Sequence, residues 1–165
     1  MRLLIFFVSV LFSISVIAAD PAAQLLSAAS SGRITQLKNL LAEGADPNAK
    51  NAAGRPAIVL TGFNGNVRSA RMLISAGADV NAVDAAGGSA LMAASAFGHV
   101  NLVNLLIAAG ADVNLKDAAG KSALARATRS TQPVIVEKLK AAGAVEEVVE
   151  EVVEEEKEEK AEEKK

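Results

Sequence analysis

The side chains best suited to catalysis are scarce in this sequence. Its 165 residues contain one histidine, His99, and no cysteine, so thiol catalysis, disulfides and a lipid-modified N-terminal cysteine are excluded. A histidine that acts as a general base needs an orienting partner and a pocket, and the Gly98-His99 turn sequence identifies neither. We therefore predict no acid–base or nucleophilic site around His99.

Three carboxylates recur at equivalent positions, Asp46, Asp79 and Asp112, each within a Gly-Ala-Asp-x-Asn segment. We expect them to accept hydrogen bonds from the backbone of their own turns. A metal ion would need several oxygens at one point, whereas these carboxylates are spread along the chain. Neither a Gly-Lys-Ser/Thr phosphate loop nor a dinucleotide fingerprint occurs. The sequence therefore predicts no metal, no cofactor and no enzymatic activity.

These aspartates belong to an internal repeat with a period of 33 residues. Its first marker is Gly-Ala-Asp-Pro/Val-Asn, which begins at Gly44, Gly77 and Gly110 and is followed by a partial copy at Gly143. Its second marker is Asn/Asp-Ala-Ala-Gly, which begins at Asn51, Asp84 and Asp117. Two independent markers in one register indicate a genuine repeat architecture.

Between the markers the apolar pattern is helical. The apolar residues 102–107 end shortly before Gly110, where a left-handed cap is needed. A shorter helix is predicted from Ser89, which can cap it, to Phe97, and Gly98 separates the two helices. Each unit is therefore predicted to be a helical hairpin, and the Gly, Asp and Asn residues predict an extended loop between hairpins.

The combination of Gly-Ala-Asp-Val-Asn, Asp-x-x-Gly and Gly-His resembles the ankyrin repeat over residues 20–144. The resemblance implies an all-α ankyrin-repeat solenoid of stacked helix-turn-helix units with β-turn or hairpin loops. It also implies a concave face lined by first helices and loop tips, and a structural turn role for His99. The units are expected at residues 20–48, 49–81, 82–114 and 115–144.

Departures from the family pattern bear on stability. Where the family has Thr-Pro-Leu-His, this chain has Pro-Ala-Ile-Val, Ser-Ala-Leu-Met and Ser-Ala-Leu-Ala, which begin at Pro56, Ser89 and Ser122. The histidine that would bond back to the threonine is missing, so we expect a stability below that of a consensus array. Gly62 and Gly65 predict that the second repeat is the weakest.

The terminal units have features of caps. The first unit lacks a leading loop of its own. In the last unit, Arg126 and Lys140 replace residues that are apolar in the preceding repeats. These replacements predict a terminal repeat with one face in water.

The resemblance places the partner-binding surface on the loop tips and the ends of the first helices. The candidate binding residues there are Arg55, Phe63, Asn64, Phe97, Lys121 and Arg129. Phe63 and Phe97 are the two aromatic residues outside the N-terminal segment, and aromatic and arginine side chains are common interface anchors. The alternative is that one or both rings pack between neighbouring hairpins. The basic residues favour a partner protein with an acidic surface.

Charge is distributed unevenly along the chain. Residues 20–144 have a net charge of +4, whereas residues 145–165, the acidic tail, contain eleven Glu and four Lys. A nucleic acid is therefore a poor candidate partner. The tail valines follow a helical stripe up to Val153, which predicts a capping helix, and the run beyond Glu154 is expected to be solvated. The functional alternative is that the tail lies across the basic face and competes with the partner.

Residues 1–19 combine Arg2 with an apolar stretch from Leu3 to Ala19, a pattern typical of a secretory signal cleaved before Asp20. The expected location is the periplasm or the cell exterior. The alternative is that this segment is retained as a short anchor, which would make the protein a membrane-tethered ankyrin scaffold. A membrane is an expected partner only in that case. Our interpretation is a monomeric, non-enzymatic module that binds another protein.

Overall fold

The computed structural model describes residues 20–146, which form eight α-helices arranged as four consecutive pairs. The helices are α1 (Pro21–Ser31), α2 (Ile34–Ala42), α3 (Ala57–Asn64), α4 (Val67–Ser75), α5 (Ala90–Ala96), α6 (Val100–Ala108), α7 (Ala123–Arg129) and α8 (Pro133–Ala141). No helix in this part of the chain is long and apolar enough to cross a membrane. The predicted signal segment and the tail from residue 147 onward, with its predicted capping helix, lie outside the described residues.

Serine caps and a left-handed glycine bound the helices for which the sequence predicts them. The Ser89 hydroxyl accepts a hydrogen bond from the N–H of Met92 at 3.2 Å and so caps α5, and Ser122 caps α7 in the same way. Helix α3 follows Pro56 and has no side-chain cap. Gly110, just beyond α6, has a φ of +86°, the left-handed conformation that closes the helix.

The turn aspartates have the local role predicted for them. Asp46, Asp79 and Asp112 each accept a hydrogen bond from the backbone N–H two residues later, at 2.8 to 2.9 Å. This bond fixes the tight turn after the second helix of a pair, so the prediction of turn hydrogen bonding is confirmed.

The second marker forms the tip of the loop between helix pairs. Its first residue accepts two backbone hydrogen bonds, from the residues two and four positions later; these acceptors are Asn51, Asp84 and Asp117. Isolated antiparallel bridges, Lys50 with Pro56 and Val83 with Ser89, join the two arms of the first two tips. One polar side chain therefore shapes each tip and leaves the two alanines that follow it exposed.

The core consists of two stacked layers of helices. The first helices of consecutive pairs, α1, α3, α5 and α7, contact one another in order, and the second helices pack beside them. Residues one repeat apart are buried at equivalent places, namely Leu25, Ile58, Leu91 and Leu124 in the first layer and Leu40, Leu73, Leu106 and Leu139 in the second. The predicted all-α solenoid is confirmed, because each pair buries its apolar side against the next pair.

Gly62 has a packing role that the expectation of a weak second repeat did not include. A Cβ atom at this position would lie 2.6 Å from the Ala90 carbonyl oxygen and 3.1 Å from the Ala93 Cβ. The absent side chain therefore allows the backbones of α3 and α5 to approach closely. The reduced stability of this repeat stays a prediction, but Gly62 also permits the close packing of α3 on α5.

A ladder of asparagine side chains joins the loops of consecutive repeats. The asparagines that close the first marker, Asn48 and Asn81, each accept a hydrogen bond at 2.8 Å from the N–H of the next repeat's turn aspartate. Asn114 accepts the equivalent bond from Val145 at 2.9 Å. Sequence reasoning recognised these asparagines as markers but assigned them only to local turns. The ladder fixes the register between one repeat and the next.

Candidate protein-binding face

The six predicted binding residues lie at two kinds of position in the repeat. The loops that precede first helices contribute Arg55 and Lys121, and the ends of first helices contribute Phe63, Asn64, Phe97 and Arg129. The period of 33 residues makes Phe63, Ala96 and Arg129 equivalent, so these positions form a row across the stack. We call the surface formed by the six residues and Ala96 the candidate face.

The structure brings the two phenylalanines together and gives them different surroundings. Their ring centroids are 5.7 Å apart with an interplanar angle of 59°, a tilted arrangement that aromatic pairs favour. Phe63 is half-buried and packs against the core, which fits the alternative interpretation for that ring. Phe97 is 58% exposed. The pair therefore presents one apolar ring to solvent on a partly buried support.

Arg55 is held by two neighbours on the candidate face. Its guanidinium carbon lies 4.5 Å from the centroid of the Phe63 ring, a cation–π contact. Its Nε lies 3.5 Å from a carboxylate oxygen of Asp84 in the following repeat. Arg55 is therefore fixed in orientation and part of its charge is already compensated, so it supports Phe63 as well as facing solvent.

A cleft with a volume of about 550 Å³ lies on the last repeat, beside the aromatic pair. Its polar lining consists of Asp117, Lys121, Arg126, Arg129 and Ser130, and three alanines, including Ala96, complete it. Lys121 and Arg129 are exposed, and within the described part of the chain neither has an acidic partner at ion-pair distance. We call this the cationic cleft, because three positive charges face one carboxylate.

The single carboxylate of the cationic cleft is paired with Arg126, whose Nη2 donates to Asp117 Oδ2 at 2.5 Å. Burial raises the pKa of Asp117, but hydrogen bonds from Arg126 and from the backbone N–H groups of Lys121 and Ala119 outweigh it and bring the pKa below its ordinary value. Asp117 is therefore ionised at neutral pH and fixes Arg126 beside the tip of its own loop.

Two segments of the sequence, residues 25–117 and residues 63–149, match a family model described as ankyrin repeats in three copies. The chain belongs to the ankyrin repeat family. Ankyrin repeats are generally protein–protein interaction modules, and the family is typically non-enzymatic. The comparison with curated proteins gives no match.

His99 has the structural turn role that the ankyrin resemblance implied. Its Nε2 lies 3.2 Å from the Phe63 carbonyl oxygen, in the preceding ankyrin repeat, and its ring lies against Gly65. The same ring stacks on Phe97, with centroids 6.3 Å apart and an interplanar angle of 20°. His99 therefore ties the second and third repeats together and supports the exposed Phe97 ring.

One residue of the last repeat, Arg126, has surroundings that differ from what sequence reasoning assigned. Arg126 was expected to face water at the end of the ankyrin stack, but it is half-buried and bonded to Asp117 in the cationic cleft. The sequence contained a signal for this contact, because Arg126 replaces an apolar residue and its partner, Asp117, lies in the same repeat. Lys140 is exposed and pairs with Glu146, as expected for a terminal face. Asn64 is exposed, and its amide donates to the Leu60 carbonyl oxygen at 3.1 Å.

Proposed function

We propose that this ankyrin protein is an exported, monomeric and non-enzymatic module that binds a partner protein through the candidate face. The observation that carries the proposal is the exposed Phe97 ring, held between Phe63 and His99 next to the cationic cleft. A rigid exposed aromatic ring loses little conformational freedom when a partner covers it. Such rings are frequent energetic centres of protein interfaces.

Charge supports a partner with an acidic surface. Lys121 and Arg129 are exposed on the candidate face, and Arg126 lines the same cleft. Opposite charges across an interface accelerate association and favour the correct partner. The net charge of +4 on residues 20–144 is modest and the tail is strongly acidic, so a nucleic acid is the less favoured partner.

The binding proposal predicts that Phe97→Ala weakens capture of the native partner by about 30-fold, the effect of losing a hot spot worth about 2 kcal/mol. The measurement is quantitative affinity capture from the protein's native compartment, with the captured protein identified by mass spectrometry. Val134→Ala is the matched control, because Val134 is also an exposed apolar residue, at 52%, but belongs to α8.

Circular dichroism of the two variants should be unchanged, because both side chains are largely in solvent. If Phe97→Ala captures the same protein as strongly as the wild type does, the candidate face is not the binding surface. Equal losses in both variants would contradict the proposal as well, since they would place the contact outside the aromatic pair.

The export proposal rests on residues 1–19 and predicts a mature protein that begins near Asp20. Intact-mass measurement of the protein from its native host, with sequencing of the N-terminal peptide, tests this. A mature form that starts at Asp20 in the periplasmic or extracellular fraction is the expected result. A membrane-bound product that still contains residues 3–19 would replace the proposal with the tethered scaffold.

A further inference from the structure

We propose that the cationic cleft is a binding site for glutamate carboxylates, and that its occupant is the acidic tail of the same chain, residues 147–165. This inference concerns a contact within the chain and goes beyond the binding of a partner. Three observations carry it: the uncompensated charge of the cleft, the composition of the tail, and the position at which the tail leaves the described structure.

The cleft has the chemistry to bind carboxylates. Lys121 and Arg129 face solvent without acidic partners among the described residues. Asp117 neutralises only one positive charge of the cleft, that of Arg126. Lysine and arginine together can donate several charge-assisted hydrogen bonds to carboxylate oxygens. The alanine lining leaves room for a glutamate side chain to enter a volume of about 550 Å³.

The loop position of Lys121 is occupied differently in the two preceding repeats. Arg55, which occupies the loop position equivalent to Lys121, pairs with Asp84 and lies over the Phe63 ring. The third repeat has a glycine at this position, Gly88. Lys121 in the last repeat therefore differs from its counterparts, because it is a loop-tip cation with no ionic partner in residues 20–146.

The tail supplies the matching charge in a short stretch of chain. Residues 147–165 contain ten glutamates and four lysines, and the glutamates occur in adjacent groups such as Glu154–Glu156. Charge complementarity of this kind requires no single fixed pose, because neighbouring carboxylates can exchange in the same cleft. The contact should be weakened by salt, since Lys121 and Arg129 are exposed.

The chain leaves the described structure close to the cleft. Val145 donates its N–H to Asn114 Oδ1 at 2.9 Å, and Asn114 is only three residues before Asp117, which lines the cleft. Three residues span at most about 10 Å, so the tail begins within about 20 Å of the cleft, whereas its own 19 residues could span about 60 Å. A tethered ligand at this distance has an effective concentration in the millimolar range, enough to occupy a weak ionic site.

The test is carbodiimide cross-linking of the full chain, which joins a carboxylate to an amine without a spacer, followed by peptide mapping. We expect links between Lys121 and tail glutamates at a yield at least about fivefold above that of Lys38, an exposed lysine in α2, because the tether concentrates carboxylates at the cleft. Near 1 M NaCl, where the Debye length is about 3 Å, the Lys121 links should largely disappear.

Two variants make the test specific to the cleft. Arg129→Glu should lower the yield at Lys121 by about fivefold, the effect of roughly 1 kcal/mol of lost ionic interaction. Arg71→Glu, which makes the same charge change at an exposed position of α4, should leave the yield within about twofold of the wild type, since it lies outside the cleft. Unchanged circular dichroism in both variants checks that the fold is retained.

Three results would overturn the proposal: equal yields at Lys121 and Lys38, a yield that does not respond to Arg129→Glu, or links that form only between copies. The last is measured by mixing ¹⁴N- and ¹⁵N-labelled chains, in which links within one chain contain a single isotope. The experiment includes no partner protein, so its outcome does not depend on the proposed function. Conversely, Phe97→Ala should leave the Lys121 links intact.

Discussion

Leu106→Ala is expected to lower the free energy of unfolding by about 3 to 5 kcal/mol, the cost of removing a fully buried leucine from a close-packed core. Leu106 has no exposed surface and lies in α6, which packs against α4, α5 and α8. Because repeats are in contact on both sides of α6, the surrounding helices have little freedom to close the cavity. A loss of this size is a large part of the stability of a typical domain.

The matched control is Leu105→Ala, which makes the same change one position along the same helix. Leu105 is half-buried at the edge of the core, so we expect a loss of about 1 to 2 kcal/mol in proportion to its smaller buried area. Urea denaturation followed by circular dichroism gives both values. Equal losses for the two variants would contradict the packing described for α6.

Gly62→Val is expected to cost about 3 kcal/mol or more, because the side chain would be forced against the backbone of the neighbouring repeat. The added Cβ alone would lie 2.6 Å from the Ala90 carbonyl oxygen, and a backbone atom cannot rotate away as a side chain can. Valine is a better helix former than glycine by only about 0.5 kcal/mol, so the steric clash outweighs this gain and the variant is expected to be less stable. The helices α3 and α5 must then separate.

Thermal denaturation measures this loss, and Asn104→Val is the matched control. Asn104 is an exposed residue of α6, where a β-branched side chain meets no neighbouring helix, and a change within about 0.5 kcal/mol is expected. The same wedge should disturb the Phe63–Phe97 pair, since one ring belongs to α3 and the other follows α5. A stabilised Gly62→Val variant would show that the two helices have room to separate without cost.

The architecture was predictable because the same sequence markers occur in several consecutive repeats. Each marker appears at least three times in one register, so turn aspartates such as Asp79 and the left-handed Gly110 could be assigned by comparing the sequence with itself. The serine cap at Ser89 followed from local chemistry alone, and Ser122 is its counterpart one repeat later. These features depend on contacts within a few residues, which a sequence displays directly.

The candidate site was less predictable because its contacts cross between repeats. Arg55 pairs with Asp84 one repeat later, and the offset between stacked loops that permits this is not visible in a sequence. Phe63 and Phe97 also look alike in sequence, yet Phe97 is one position beyond the equivalent of Phe63 and therefore falls just outside its helix. That single position separates a half-buried ring from a largely exposed one.

The asparagine ladder affects how such a protein can change in size. The same bond joins each of three asparagines, Asn48, Asn81 and Asn114, to the repeat that follows it. Even the incomplete fourth marker takes part, because Val145 donates its backbone N–H to Asn114. The same contact therefore forms at each junction between repeats, and it does not involve the side chains exposed on the candidate face. After duplication or loss of one 33-residue unit, each remaining asparagine would still bond to the backbone of the repeat that follows it. The length of the binding surface can therefore change by whole repeats, while its chemistry changes by single substitutions.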